Sequence, residues 1–206
     1  MKAKILSVAS CIALAALSGC ALTTDHVQLS YSQQQGIAQI PGANNVTVNV
    51  QVNDHRQDKS KVSSKKNGYG MEMAPILASE DVAITVRRAI EQELRSRGFQ
   101  LSADAALVQI AADLTRFYND HKIGFFAGDA VADLNMSVIV KSKKGELIFS
   151  KQIATQGVEP NTQLASGENA RLALNRALEN GMKTLFEDQS FLSALVASSA
   201  QKLTSQ

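Results

Sequence analysis

Three histidines and two cysteines hold most of the nucleophilic and metal-ligating capacity of this 206-residue chain. His55 follows Asp54 and His121 follows Asp120, while His26 stands in a polar stretch near the start. An acid beside a histidine in sequence is only half of a general base. The ring also needs a nucleophile or substrate proton within reach and a pocket around it. No His-x-x-x-His pair offers two zinc ligands on one helix face. No Gly-x-Ser-x-Gly elbow and no phosphate-binding Gly-Lys-Ser/Thr loop occurs. Gly124-Phe125-Phe126-Ala127-Gly128 is glycine-rich but lacks the lysine that phosphate binding requires. These residues predict a protein that is not an enzyme and takes no metal or cofactor.

The cysteines point elsewhere. Lys2 and Lys4 precede an apolar run from Ile5 to Leu17, which ends in Leu17-Ser18-Gly19-Cys20. A charged start, a short apolar middle and small residues before a cut form a secretory signal peptide. The run is too short for a membrane span, which needs about 20 apolar residues. Leu-Ser-Gly-Cys resembles the lipobox of bacterial lipoproteins, and that resemblance implies that Cys20 becomes the lipid-carrying first residue. Cys11 leaves with the signal peptide. No other thiol remains for a disulfide, a metal site or catalysis. In the same class an Asp after the lipidated cysteine retains the protein in the inner membrane. Ala21 occupies that position here, which implies a lipid anchor in the outer membrane, facing the periplasm.

The formal charge of +2 belongs to the whole chain. Loss of Lys2 and Lys4 balances basic against acidic side chains, which leaves no electrostatic case for nucleic acid as a partner. The expected organisation is a signal peptide over 1–19, the lipidated cysteine and a polar tether over 20–45, one domain over 46–198 and a flexible tail over 199–206; within the tether, Val27, Leu29 and Tyr31 alternate with polar residues and also fit an edge strand.

The elements follow from periodicity. Val46 to Val52 alternates valine with polar residues and predicts a strand. Residues 53–75 are rich in Lys, Ser, Asp and Gly without a period and read as a long loop. Ser79 to Arg97 predicts a helix, with Ser79 as cap, Glu80 and Asp81 in the first turn, and Val82, Val86, Ala89, Ile90 and Leu94 as its apolar stripe. Gly98 and Phe99 then fit a Schellman ending. Alternation predicts strands over 107–117, 130–140 and 146–158. Ser166 to Asp188 predicts a second helix, in which Gly181 marks a close approach, and Phe191 to Val196 a short last one. The expected fold is α+β: a four-stranded mixed, mostly antiparallel sheet with two main helices on one face, in the order β-α-β-β-β-α plus a short C-terminal helix. Thr47, Asn49, Gln51, Gln109 and Asp113 would line the other sheet face, towards water or a partner.

Two loops stand out as candidate contacts. Ile123, Phe125 and Phe126 fall at an expected hairpin tip, where polar residues are usual, and would either cap the core or enter a partner. Lys59, Lys61, Lys65 and Lys66 form a basic loop suited to anionic headgroups, diluted by Asp54 and Asp58.

Taken in order, the lipobox, the strand VTVNVQV, the segment DVAITVRRAIEQELRSRGF, the alternating strand after it and the late helix RLALNRALENGMKTLFEDQSF resemble the YajG family of uncharacterised Gram-negative lipoproteins. The resemblance runs from Val46 to about Val196. The loop around Phe125 and the lysine-rich loop depart from it. It implies an outer-membrane lipoprotein with no assigned activity, and it carries over no catalytic residue. The expected function is a binding or assembly accessory for an envelope protein, with a periplasmic lipid, glycan or small-molecule binding domain as the alternative.

Overall fold

The computed structural model describes residues 22–122, 124 and 127–200. Cys20, Ile123, Phe125 and Phe126 lie outside the described residues, as do the signal peptide and residues 201–206.

The valine alternation produces β2 (Thr47–Asp54), with Val48 and Val50 buried and Asn49 and Gln51 on the other face. Its neighbour β6 (Val108–Lys122) runs parallel to it, in register from Val48 against Val108 to Asp54 against Leu114. From there the chain meanders antiparallel through β7 (Gly128–Ser142) and β8 (Leu147–Thr162). A two-residue strand β5 (Gln100–Leu101) adds to the far side of β2, giving the order β5-β2-β6-β7-β8. The expected four-stranded sheet is therefore five-stranded. Two residues are too few for alternation to show in sequence.

A second sheet also departs from expectation. β1 (Asp25–Val27), β3 (Ser63–Lys66) and β4 (Glu72–Ala78) form three strands in the order β1-β4-β3. Two of these strands come from the segment read as a long loop. The segment 20–45, read as a tether, supplies the third: β1 is an edge strand, as the alternation there allowed, and Val27 and Leu29 are buried. Pro75 speaks against a strand in sequence. Ser63 and Ser64 bury small polar side chains where alternation would look for apolar ones.

A bulge between Leu114 and Arg116 extends β6 beyond its expected end. Val108, Ile110, Ala112 and Leu114 point inward before it, and Phe117, Asn119 and His121 after it. One extra residue shifts the phase of alternation, so the continuation reads as loop.

The helices pack on one face, as expected. In α1 (Val82–Ser96) the cap is Asp81, whose carboxylate accepts from Ala83 N at 2.8 Å. Ser79 is not the cap because its N–H still extends the β1 ladder to Val27 O. The helix closes in the Schellman pattern: Phe99 N–H donates to Leu94 O, Gly98 N–H to Arg95 O, and Gly98 has φ +92°. In α2 (Gly167–Phe186), Ser166 Oγ accepts from Asn169 N. Ala170, Ala173, Leu174, Ala177, Leu178 and Met182 face the sheet. Gly181 lies where an added Cβ would meet Leu134 at 3.1 Å, the close approach its position suggested. α3 (Gln189–Ala200) follows, and Phe191 meets Phe186 edge-on at 5.3 Å.

Candidate functional site

The sheet face opposite the helices is a ladder of polar groups. Asp113 on β6 accepts from Asn53 Nδ2 at 2.9 Å and lies 3.4 Å from His55 Nε2. On the neighbouring strand β7, Asp133 accepts from Arg116 Nε and from Gln156 Nε2, both at 2.8 Å. Thr47, Asn49, Gln51 and Gln109 extend this surface, with Gln51 and Gln109 exposed. Opposite charges and amides that already satisfy one another form a flat, wettable face that loses little on meeting a polar partner.

A cleft of about 770 Å³ opens at the C-terminal end of β2, beside the start of α1. Asp54, Arg56, Lys59, Lys61, Glu80 and Asp81 line it. Arg56 is committed to the fold. Its Nε and Nη2 bond Asp54, and its Nη1 reaches Lys61 O and Phe117 O. Burial opposes the charge on Asp54, but the guanidinium and N–H of Arg56 outweigh it and hold the carboxyl below its usual range.

The basic loop is split by the fold. Lys59 and Lys61 border the cleft, where Lys61 pairs with Glu72 at 2.7 Å. Lys65 and Lys66 sit at one end of the molecule, paired with Asp25 at 2.8 Å and Asp120 at 2.5 Å. A smaller cleft of about 280 Å³ opens at that end, lined by Lys66, Asn67, His121, Lys122 and Leu164. Gly124 and Ala127, from the loop that holds Ile123, Phe125 and Phe126, also border it.

His121 is buried there, with no hydrogen-bond partner for either ring nitrogen among the described residues. Burial, and then the nearby Lys66 ammonium, push its pKa down to about 4, against a smaller opposing pull from Asp120. The folded state thus holds a neutral ring where the unfolded chain takes up a proton below about 6.5. The contribution is intact above that pH and is lost as pH falls towards 4, because the unfolded state binds more protons in this window. Urea midpoints measured from pH 7 to pH 4 should fall, and His121→Leu should flatten that slope. An unchanged slope in His121→Leu would assign the acid sensitivity to other groups.

A buried polar cluster on α1 went unread in the sequence. Glu93 and Arg97 pair one turn apart and reach Tyr31 and Gln34 from the N-terminal segment. The signal was available: both positions fall on the apolar stripe of α1, where a charge demands a partner.

No curated protein sequence matches this chain. The chain is similar to several solved structures. A Xanthomonas campestris protein of family DUF330 is 11% identical, covers 89% of this chain and all of its own, and has a TM-score of 0.52. A putative neuraminyllactose-binding hemagglutinin homolog from Helicobacter pylori is 12% identical over 85% of this chain and 100% of its own, with a TM-score of 0.49. A minor lipoprotein from Acinetobacter baumannii is 7% identical over 71% of this chain and 94% of its own, at 0.44. At such identities the first shows a shared fold and nothing more. Residues 33–195 match the family model described as "Uncharacterized lipoprotein", and the chain belongs to that lipoprotein family.

Proposed function

We propose that this lipoprotein is anchored in the outer membrane through lipid on Cys20, faces the periplasm, and serves as a binding or assembly accessory for an envelope protein without catalysing a reaction. The observation that carries this reading is the uncovered face of the five-stranded sheet, with its ladder around Asp113 and Asp133. Ala21 and the YajG-like order of elements support the membrane assignment. The histidines favour binding over catalysis: His55 is exposed, Asp113 beside it is half-buried and also bonds Asn53, and His121 is buried. The alternative, a lipid, glycan or small-molecule binder, calls for an apolar pocket between helices and sheet. Leu114, Leu134, Met136, Leu174 and Leu178 fill that layer.

The test places a photo-crosslinking residue at Gln51 or Gln109 on the open face, and at Glu187 beyond α2 as control, in growing cells. Adducts of discrete mass from the first two positions and not from the third are expected. Equal labelling at all three, or none, would overturn the reading. Cys20→Ser should shift the folded protein from the membrane to the soluble fraction, and its retention would overturn the anchor.

A further inference from the structure

We infer that one end of the domain, formed by the β3–β4 hairpin tip, the β8–α2 loop and the start of β1, rests on the bilayer that holds the Cys20 lipid. This depends on Cys20 being the lipidated residue. The geometry then leaves little slack. Leu22 follows Cys20 by two residues, so their Cα atoms are at most about 7 Å apart. Asp25, where β1 begins, follows by five residues, within about 18 Å. A fully flexible tether over 20–45 would have let the domain stand far off, but β1 is built into the fold. It pairs with β4 from Asp25 against Ile76. The Asp25 carboxylate bonds Lys65 Nζ at 2.8 Å and Gly167 N at 3.0 Å, and Lys65 also reaches Thr23 Oγ1. The anchor is thereby fixed to one end of the molecule.

That end has a surface suited to headgroups. Tyr69 is 91% exposed, Leu164 73%, Leu22 62% and Met71 58%. With Met73 on β4, five of the seven exposed large apolar side chains among the described residues lie here, and the other two, Leu147 and Val158, lie on β8. Lys66, Gly68, Lys122 and Leu164 border one cleft, which makes the hairpin tip, the end of β6 and the β8–α2 loop neighbours. The hairpin is closed and presents its tip rigidly, because Asn67 N donates to Met71 O and Asn67 Oδ1 accepts from Tyr69 N and Met71 N. Apolar and aromatic groups beside lysines, at the end of the domain where the chain arrives from Cys20, match the chemistry of a membrane interface. Facing only water, such a cluster would be an exposed patch without a purpose. The β7–β8 turn at Lys143–Gly145 then stands at the distal end, about 45 Å along β7.

The test uses the lipidated full-length protein in vesicles of phosphatidylethanolamine and phosphatidylglycerol. Single cysteines at Tyr69, at Leu164 and, as distal control, at Lys144 carry nitroxide labels; the sulfur of Cys20 is blocked by its lipid. All three sites are exposed, and unchanged urea midpoints confirm that the labelled proteins fold. Flotation with the vesicles is read first, then the ratio of collision rates with oxygen and with a water-soluble nickel complex. A several-fold higher ratio at 69 and 164 than at 144 is expected. Flotation with equal, water-like ratios at all three sites overturns the docking while leaving the anchor intact. Failure to float removes the anchor and the docking with it.

Discussion

Replacing Gly157 with alanine should cost this domain about 3 kcal/mol or more, at the upper end of what overpacking does. Gly157 sits on β8 with the backbone of α2 directly above it. An ideal Cβ there would lie 2.1 Å from Ala173 O, 2.2 Å from Ala177 N and 2.8 Å from Arg176 C. None of these atoms belongs to a side chain that can swing away, so the helix itself must lift. Lifting α2 opens the layer around Leu174 and Leu178 in an interior that packs like a crystal. It also breaks the bonds by which α2 covers the sheet edge: Thr155 Oγ1 to Ala177 O at 3.1 Å, Asn180 Nδ2 to Gln156 O at 2.7 Å, and Arg176 to Val158 O. An uncovered sixteen-residue edge is a template for association with other chains. Against a usual stability of about 5–15 kcal/mol, the loss should appear as a large drop in urea midpoint, with aggregation at higher concentration. Gly68→Ala is the control, since an added Cβ there meets nothing within 4 Å. A Gly157→Ala midpoint equal to that of Gly68→Ala would show that α2 does not ride on β8 in this register.

What was legible in the sequence was local. The Schellman ending over Leu94–Phe99 needs only a glycine of positive φ after an apolar helix, and it formed as read. Ser166, where the second helix was expected to begin, is its N-cap. The valine pattern of β2 also survived, because its two faces meet such different surroundings. The second sheet was hidden because its strands depend on one another. Ser63-Ser64-Lys65-Lys66 has no apolar period, Pro75 argues against a strand, and β1 becomes a strand only through β4, about fifty residues later in the chain. The candidate surfaces divide in the same way. Cys20 is read from four adjacent residues. The polar sheet face follows from alternation. The gathering of Lys66, Tyr69, Lys122 and Leu164 at one end of the domain joins three separate parts of the chain, and no spacing in the sequence records it.

Tyr31 and Gln34 meet α1 through one buried carboxylate, so Glu93→Ala should be the second severe substitution, costing about 3–5 kcal/mol. Glu93 is fully buried on α1 and bonds Arg97 one turn on, itself buried. The same carboxylate accepts from Tyr31 Oη at 2.5 Å and from Gln34 N at 3.2 Å. Burial, and then the bond to Glu93, push the Tyr31 phenol well above its usual pKa, so it stays a donor at any physiological pH. Arg97 continues the cluster to Gln34 Oε1 at 3.1 Å and stacks over the Phe186 ring at 4.6 Å. Removing the carboxylate strands a guanidinium, a phenol and a backbone N–H away from water, and an unpaired buried charge is the largest of those penalties. Tyr31→Phe removes only one bond to a charged group and should cost about 1.5–3 kcal/mol. Replacing both members of the ion pair by methionine should recover much of the Glu93→Ala loss, because no charge is then left unpaired. Hydrogen exchange at the Gln34 amide separates local from global damage. In Glu93→Ala the Gln34 amide, which donates to this carboxylate, should lose its protection while those of β6 and β7 keep theirs, since β1 is held independently by β4 and by the bond from Gly167 to Asp25. A Glu93→Ala protein with unchanged stability and a protected Gln34 amide would mean that shape, not the carboxylate, holds this segment to α1.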